Sequence, residues 1–288
     1  VKIKVPPILK LLIKLGITAT ALYFVIRKID IHQVTGIIGG SRPLYLAAAL
    51  LAFVLSKVLS AVRLNRYLSA AGVSLPEKVN LKLYLLGMYY NLFLPGGIGG
   101  DGYKIWYLNR HFQVKTARIF WAVMIDRVIG VLALFCLSVV FLYFVDVPTT
   151  WLRIAWVLIP VSVAAAWLVT RFFFTYVLPV FTITNLQSLA VQLLQLLSAW
   201  LILHSLGITG TVWGYLLVFL VSSIVAVLPV TIGGLGAREF TFMLGAQWLH
   251  LDLNLSIALS LVFYLVTAFT SFWGVIYSVG PGIRLGEE

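Results

Sequence analysis

Two stretches of the 288-residue chain combine the residue types that hold an anion. Residues 94–104 read LPGGIGGDGYK, and residues 228–239 read LPVTIGGLGARE. Each places a proline and several glycines ahead of a cation, Lys104 in the first and Arg238 in the second. A glycine turn leading into a helix leaves backbone N–H groups unpaired, and the helix N-terminus adds a partial positive field. Such a turn suits a phosphate or carboxylate, and a nearby ammonium or guanidinium strengthens the grip. Asp126 and Arg127 stand in the apolar stretch WAVMIDRVIG, where charges are costly and face a cavity or a partner helix. Asn91 lies one helical turn before Pro95 and can satisfy backbone groups freed by the break, or touch a polar headgroup. The candidate substrate-binding residues are therefore Asn91, Pro95, Gly96, Gly97, Gly99, Gly100, Asp101, Lys104, Asp126, Arg127, Pro229, Gly233, Gly234, Gly236, Arg238 and Glu239. Asp126–Arg127 also suits a structural pairing with other helices, and Glu239 also suits a cap.

Other chemistries find little support. Cys136 is the one cysteine, so neither a disulfide framework nor a soft metal cluster is expected. His32, His111, His204 and His250 show no ligand spacing, and no metal or cofactor is assigned. Gly99-Gly100-x-Gly102 lacks the βαβ context of a dinucleotide fingerprint, and no GK[ST] follows to make a Walker loop. No catalytic residue is assigned. Gln187, Gln192 and Gln195 form a polar stripe that suits bonds between helices or a wet headgroup path.

The elements that must position these residues are membrane-spanning. The chain is 61% apolar and only 10% charged, with a mean hydropathy of +1.04. A soluble surface needs far more polar cover. Apolar runs at 8–26, 43–62, 79–94, 119–145, 151–170, 185–206, 211–228 and 256–278 predict about eight hydrophobic segments in one domain, 1–288. Most approach the length needed to cross about 30 Å of hydrocarbon. The first run follows Lys2 and Lys4 but shows no small-residue cleavage site, so it reads as a retained helix rather than a signal peptide. The net charge is +12, carried between apolar runs, which favours anionic lipid surfaces over nucleic acid.

Basic density sets the expected topology. Four lysines at the N-terminus, the segment 57–78 (Lys57, Arg63, Arg66, Lys78) and the segment 104–118 (Lys104, Arg110, Lys115, Arg118) are assigned to the cytoplasm. Arg27, Lys28 and Arg42 fall in the first outer loop, against the trend. The second and third basic segments are separated by only one run, 79–94. They share a side if that run enters, turns at Pro95-Gly96-Gly97 and returns. Broken backbone in a bilayer is tolerated only where protein or a wet cavity surrounds it.

The two glycine stretches also echo one another. Leu94-Pro95-x-x-Ile98-Gly99-Gly100 matches Leu228-Pro229-x-x-Ile232-Gly233-Gly234 at an offset that also pairs Gly102 with Gly236 and Lys104 with Arg238. Both end a hydrophobic run and both lead into a short amphipathic segment. An internal duplication of this kind is a common source of transporter binding sites, formed where broken segments meet near the midplane. The repeat is compatible with parallel or inverted halves.

Taken together, NLFLPGGIGGD at 91–101, Asp126-Arg127-x-x-Gly130 and LPVTIGGLGARE at 228–239 resemble the lysylphosphatidylglycerol synthase transmembrane-region family, a flippase-like domain. The resemblance covers essentially the whole chain. It implies an inner-membrane protein of about eight helices with two re-entrant elements and a cytoplasmic N-terminus. In two-part relatives, this domain translocates aminoacylated phosphatidylglycerol made by a separate soluble domain. Other relatives are associated with hopanoid, glycolipid or polyprenyl-linked sugar pathways. Only SVGPGIRLGEE follows the last apolar run, so the aminoacyltransferase domain is expected to be absent, and a separate lipid-synthesising enzyme is the expected partner. Lys104 stands where the family leads one to expect arginine. The leading expectation is a transporter of an anionic or aminoacylated phospholipid, or of a polyprenyl or glycolipid. The alternatives are an integral-membrane transferase using Asp101 or Asp126 as base, and a scaffold subunit.

Overall fold

Pro43 opens the first long helix at a position that needs no N–H partner, and Gly72 (φ +95°) closes it in a left-handed conformation that costs glycine little. The computed structural model describes residues 23, 27, 30–93, 99–146, 148–208, 210–228 and 236–279. Among these the regular structure is helical: α1 (Ile31–Gly39), α2 (Pro43–Ala70), α3 (Glu77–Phe93), α4 (Gly99–His111), α5 (Thr116–Phe141), α6 (Thr149–Phe173), α7 (Leu178–Ser205), α8 (Trp213–Val227), α9 (Ala237–Trp248), α10 (Leu253–Phe272) and α11 (Val275–Val279). Five stretches are long and apolar enough to cross a membrane: Pro43–Ala70, Thr116–Phe144, Leu152–Phe173, Thr175–Ser205 and Leu253–Ser278. The expected first span at 8–26 lies outside the described residues, apart from Tyr23.

The expected runs 79–94 and 211–228 form α3 and α8, of 17 and 15 residues. At about 1.5 Å per residue both fall short of a full crossing. Each is followed by a second short helix, α4 or α9, packed back against it. These second helices coincide with the short amphipathic segments expected after each glycine stretch.

α2 and α7 form the longest helix–helix contact, running antiparallel. Small residues line it. Ser198 donates to the Ala49 carbonyl (2.9 Å), and the Arg42 amide donates to the Ser205 carbonyl (3.0 Å). Small side chains let helices approach closely where lipid supplies no hydrophobic drive. By contrast, α6 turns many apolar side chains outward, among them Val157, Val161 and Leu168, as a lipid-facing helix does.

Two apolar clusters occupy opposite ends of the bundle. One joins Ala49 and Phe53 of α2 to Leu134 and Leu137 of α5, Ile202 and Leu203 of α7, and the inner faces of α8, α9 and α10. The other joins Leu64 to Ala71 to Val79 and Leu83 of α3, Tyr107 and Leu108 of α4, and Ile119 and Val123 of α5. The pair α3–α4 thus belongs to one end and α8–α9 to the other. Between the clusters, at the middle of α2, α5 and α7, the interior turns polar.

Candidate functional site

Glycine first permits the site's geometry. A Cβ on Gly100 would sit 1.8 Å from the Gly87 carbonyl oxygen, so α3 and α4 cross here with backbone against backbone. A Cβ on Gly87 would lie 2.3 Å from Lys104 Cε, so Gly87 opens the path along which the lysine side chain crosses α3. The Asn91 side-chain oxygen accepts a hydrogen bond from the Gly100 amide at 2.8 Å, supplying the partner that the start of α4 lacks. In the second pair, Gly236 adopts φ +82° and its amide donates to Glu239 Oε2 at 2.7 Å, closing the first turn of α9.

These turns deliver side chains into a cavity of about 340 Å³. Asn91, Asp101 and Lys104 enter from one pair, and Leu228 and Arg238 from the other. Asp126, Arg127 and Gly130 come from α5, Gln192 and Gln195 from α7, and Thr267 and Ser271 from α10. α2 contributes Lys57, Ser60 and Arg63. Residues that follow two separated sequence motifs therefore line one cavity, between the two apolar clusters.

The charges form a defined network. Asp101 accepts from Lys104 Nζ at 3.2 Å and is ion-paired with Arg127. Asp126 turns away from its neighbour Arg127 and pairs with Arg63 Nε at 2.7 Å, while Arg63 also donates to Ser188 Oγ at 2.7 Å. Gly130 lies against that guanidinium, where a Cβ would make ordinary contact at 3.6 Å from Arg63. Its carbonyl accepts from Gln192 Nε2 at 3.3 Å. Lys104 Nζ lies 4.5 Å from the centre of the Tyr84 ring. Arg238 packs over Phe263 at 4.7 Å and Phe219 at 5.6 Å, and donates to Ser223 Oγ at 3.0 Å. Lys57 lies over Phe53 at 4.6 Å. These rings cradle the cations without neutralising them.

Of the sequence-derived candidates, Asn91, Asp101, Lys104, Asp126, Arg127 and Arg238 meet at this cavity. Gly99 and Gly100 start α4 beside it. Glu239 does not face it: its carboxylate is buried against the start of its own helix and accepts from Ser260 Oγ at 2.9 Å. Pro95, Gly96, Gly97, Pro229, Gly233 and Gly234 lie outside the described residues.

The sequence reading misses Lys57 and Arg63 as site residues. The basic segment 57–78, assigned to the cytoplasm, is helical up to Ala70; Arg63 is buried and Lys57 half-buried, and Lys104 is buried as well. The signal is present in hindsight: Lys57, Ser60 and Arg63 recur every third residue, on one helix face, and no breaker precedes Gly72. Among the cations left toward that end of the bundle, Arg66, Lys78, Arg110, Lys115 and Arg118 are exposed and Lys82 is half-buried.

A family model described as the lysylphosphatidylglycerol synthase TM region matches residues 11–184. No curated protein matches the chain. The match spans more than half of the 288 residues. The chain belongs to this family and is a multi-pass membrane protein of lipid-related class.

Proposed function

We propose that this member of the lysylphosphatidylglycerol synthase TM-region family is a lipid transporter that passes a phosphate-bearing headgroup through the mid-depth cavity. The observation that carries the reading is the cavity itself, a charged chamber at the centre of a lipid-embedded helical bundle. Buried charge of this density has a large desolvation cost, which a stability function alone does not require. A headgroup needs such a polar station to cross hydrocarbon.

In this reading α3–α4 and α8–α9 are re-entrant hairpins that enter from opposite ends and meet at the station. That makes the repeat inverted, with Lys104 and Arg238 as equivalent cations. The first span at 8–26 brings the hydrophobic segments to eight. The end bearing Arg66, Lys78, Arg110, Lys115 and Arg118 faces the cytoplasm, and the end bearing Asp30, Asp146 and Asp252 faces outward across the inner membrane. The N-terminus then lies in the cytoplasm. The partners are membrane lipids with a phosphate headgroup, supplied by a separate lipid-synthesising enzyme.

The transferase alternative is weakened by the same geometry. Both oxygens of Asp101 engage cations, whereas a general base needs a lone pair open to substrate. Reconstitution tests the proposal. Liposomes carrying a fluorescent phospholipid in both leaflets are treated with an impermeant reductant. Transport exposes inner-leaflet label to the reductant. Bleaching no greater than in protein-free liposomes, for each headgroup tried, would reject the reading.

A further inference from the structure

We propose that the cavity selects a headgroup carrying at least two negative charges, a phosphomonoester or a pyrophosphate, over a zwitterionic or aminoacylated one. This rests on the lipid-headgroup reading above and narrows its substrate class. The first ground is a charge imbalance. Five cations line the cavity, Lys57, Arg63, Lys104, Arg127 and Arg238, against two carboxylates, Asp101 and Asp126. The lining carries three excess positive charges, offset in part by the Glu239 carboxylate behind Arg238, among largely buried side chains where opposite charge interacts strongly.

The second ground is which cations lack compensation. Arg63 has Asp126, while Lys104 and Arg127 share Asp101. Among the described residues Lys57 has no hydrogen bond and no carboxylate partner, and it lies close enough to Arg238 and Arg63 to repel both. Arg238 has one hydroxyl, two rings and the attraction of its neighbour Glu239, and its buried Nε has no acceptor. A guanidinium held by ring faces keeps its in-plane donors for a planar oxyanion pair. The two glycine turns at 94–98 and 229–235 contain no ionisable side chain, so they cannot neutralise this excess.

The third ground is what the site withholds. An aminoacylated headgroup brings an ammonium that needs a carboxylate. Both oxygens of Asp101 are engaged, Asp126 is paired with Arg63 through Oδ1, and Glu239 faces Ser260. An added ammonium would enter a field that is already positive.

The test uses the purified full chain in detergent at a pH of about 7, where a phosphomonoester is mostly doubly ionised. Four short-chain lipids are titrated: a phosphatidate, a phosphatidylglycerol, a phosphatidylethanolamine and a lysylphosphatidylglycerol. The phosphatidate is expected to bind about tenfold tighter than the phosphatidylglycerol, one added charge-assisted contact being worth at least that factor. The phosphatidylethanolamine and lysyl lipid should bind weakest. Lys57→Gln and Arg238→Gln should each remove the preference. Lys57→Gln should also hold or raise the melting temperature of the lipid-free protein, because it removes a repulsive charge. Inorganic pyrophosphate separates the sources. Weak competition by it identifies a lipid headgroup, and competition at equal concentration identifies a soluble phosphate compound, each retaining the charge class.

Equal affinity for phosphatidate and phosphatidylglycerol, or tighter binding of the lysyl lipid, overturns the proposal. So does a marked fall in melting temperature for Lys57→Gln, since it would reveal a structural partner for that lysine. Phosphatidate preference without lipid movement in liposomes would sink the transport reading and leave this one standing. Movement of every headgroup alike would do the reverse.

Discussion

Replacing Gly100 by alanine should separate α3 from α4 and disable the site, whereas the same change at Gly102 should not. The two glycines lie in one helical turn, so their backbone propensities are comparable. Their surroundings differ. A Cβ at Gly100 meets the Gly87 carbonyl oxygen at 1.8 Å, and ordinary contact begins near 3.4 Å, so the helices must part by roughly 1.6 Å. The opposing atom is backbone and cannot rotate away. Overpacking of this kind costs about 1–3 kcal/mol. The shift also strains the Asn91–Gly100 hydrogen bond and carries Lys104 away from Tyr84. Gly102 has nothing within 4 Å, so alanine there should stabilise α4 by about 0.5–1 kcal/mol. Unfolding in mixed detergent micelles measures both variants, and lipid movement is normalised to folded protein. Gly100→Ala should lose stability and transport together, and Gly102→Ala should keep both. Equal behaviour of the two variants would refute the close-crossing argument.

Further expectations concern the charges and the topology. Asp126→Asn leaves Arg63 without its carboxylate and should destabilise by about 3–5 kcal/mol, less if water enters the cavity; replacing Arg63 by methionine in the same chain should recover much of that loss in detergent melts. Glu239→Gln should lower stability by about 0.5–2 kcal/mol through the helix cap, with transport per folded molecule unchanged, because this carboxylate faces Gly236 and Ser260. On a Cys136→Ala background, Lys115→Cys should react with impermeant maleimide only from the cytoplasmic side and Asp146→Cys only from the opposite side; reversed labelling would invert the assigned orientation.

The spanning helices are legible because burial in lipid demands an apolar run, and α2, α5, α6, α7 and α10 follow the predicted runs with shifted ends. The short helices α4 and α9 are harder to see, since their glycine-rich starts weaken propensity and their stability comes from packing on α3 and α8. The glycine motifs lead toward Lys104 and Arg238, which line one cavity, as a broken membrane segment that needs protein or a wet cavity around it would suggest. They do not reveal the third wall. Lys57, inside the apolar run 43–62, and Arg63, just past its end, read as part of a basic cytoplasmic segment because clustered cations outweigh their place on one helix face. Only the packing of α2 against α5 and α7 shows Arg63 meeting Asp126 and Ser188 inside the bundle. The sequence likewise gives no reason to choose Arg63 over Arg127 as partner for Asp126, because that choice depends on which helix faces which.

The most direct test is to locate lipid phosphate in the protein held in a bilayer disc with a phosphomonoester lipid. Cryo-electron microscopy should show headgroup density inside the mid-depth cavity, within ion-pair reach of Arg238 and Lys57, with the acyl chains leaving between helices. Lipid confined to the outer belt, with only water among Lys57, Lys104 and Arg238, would contradict the account.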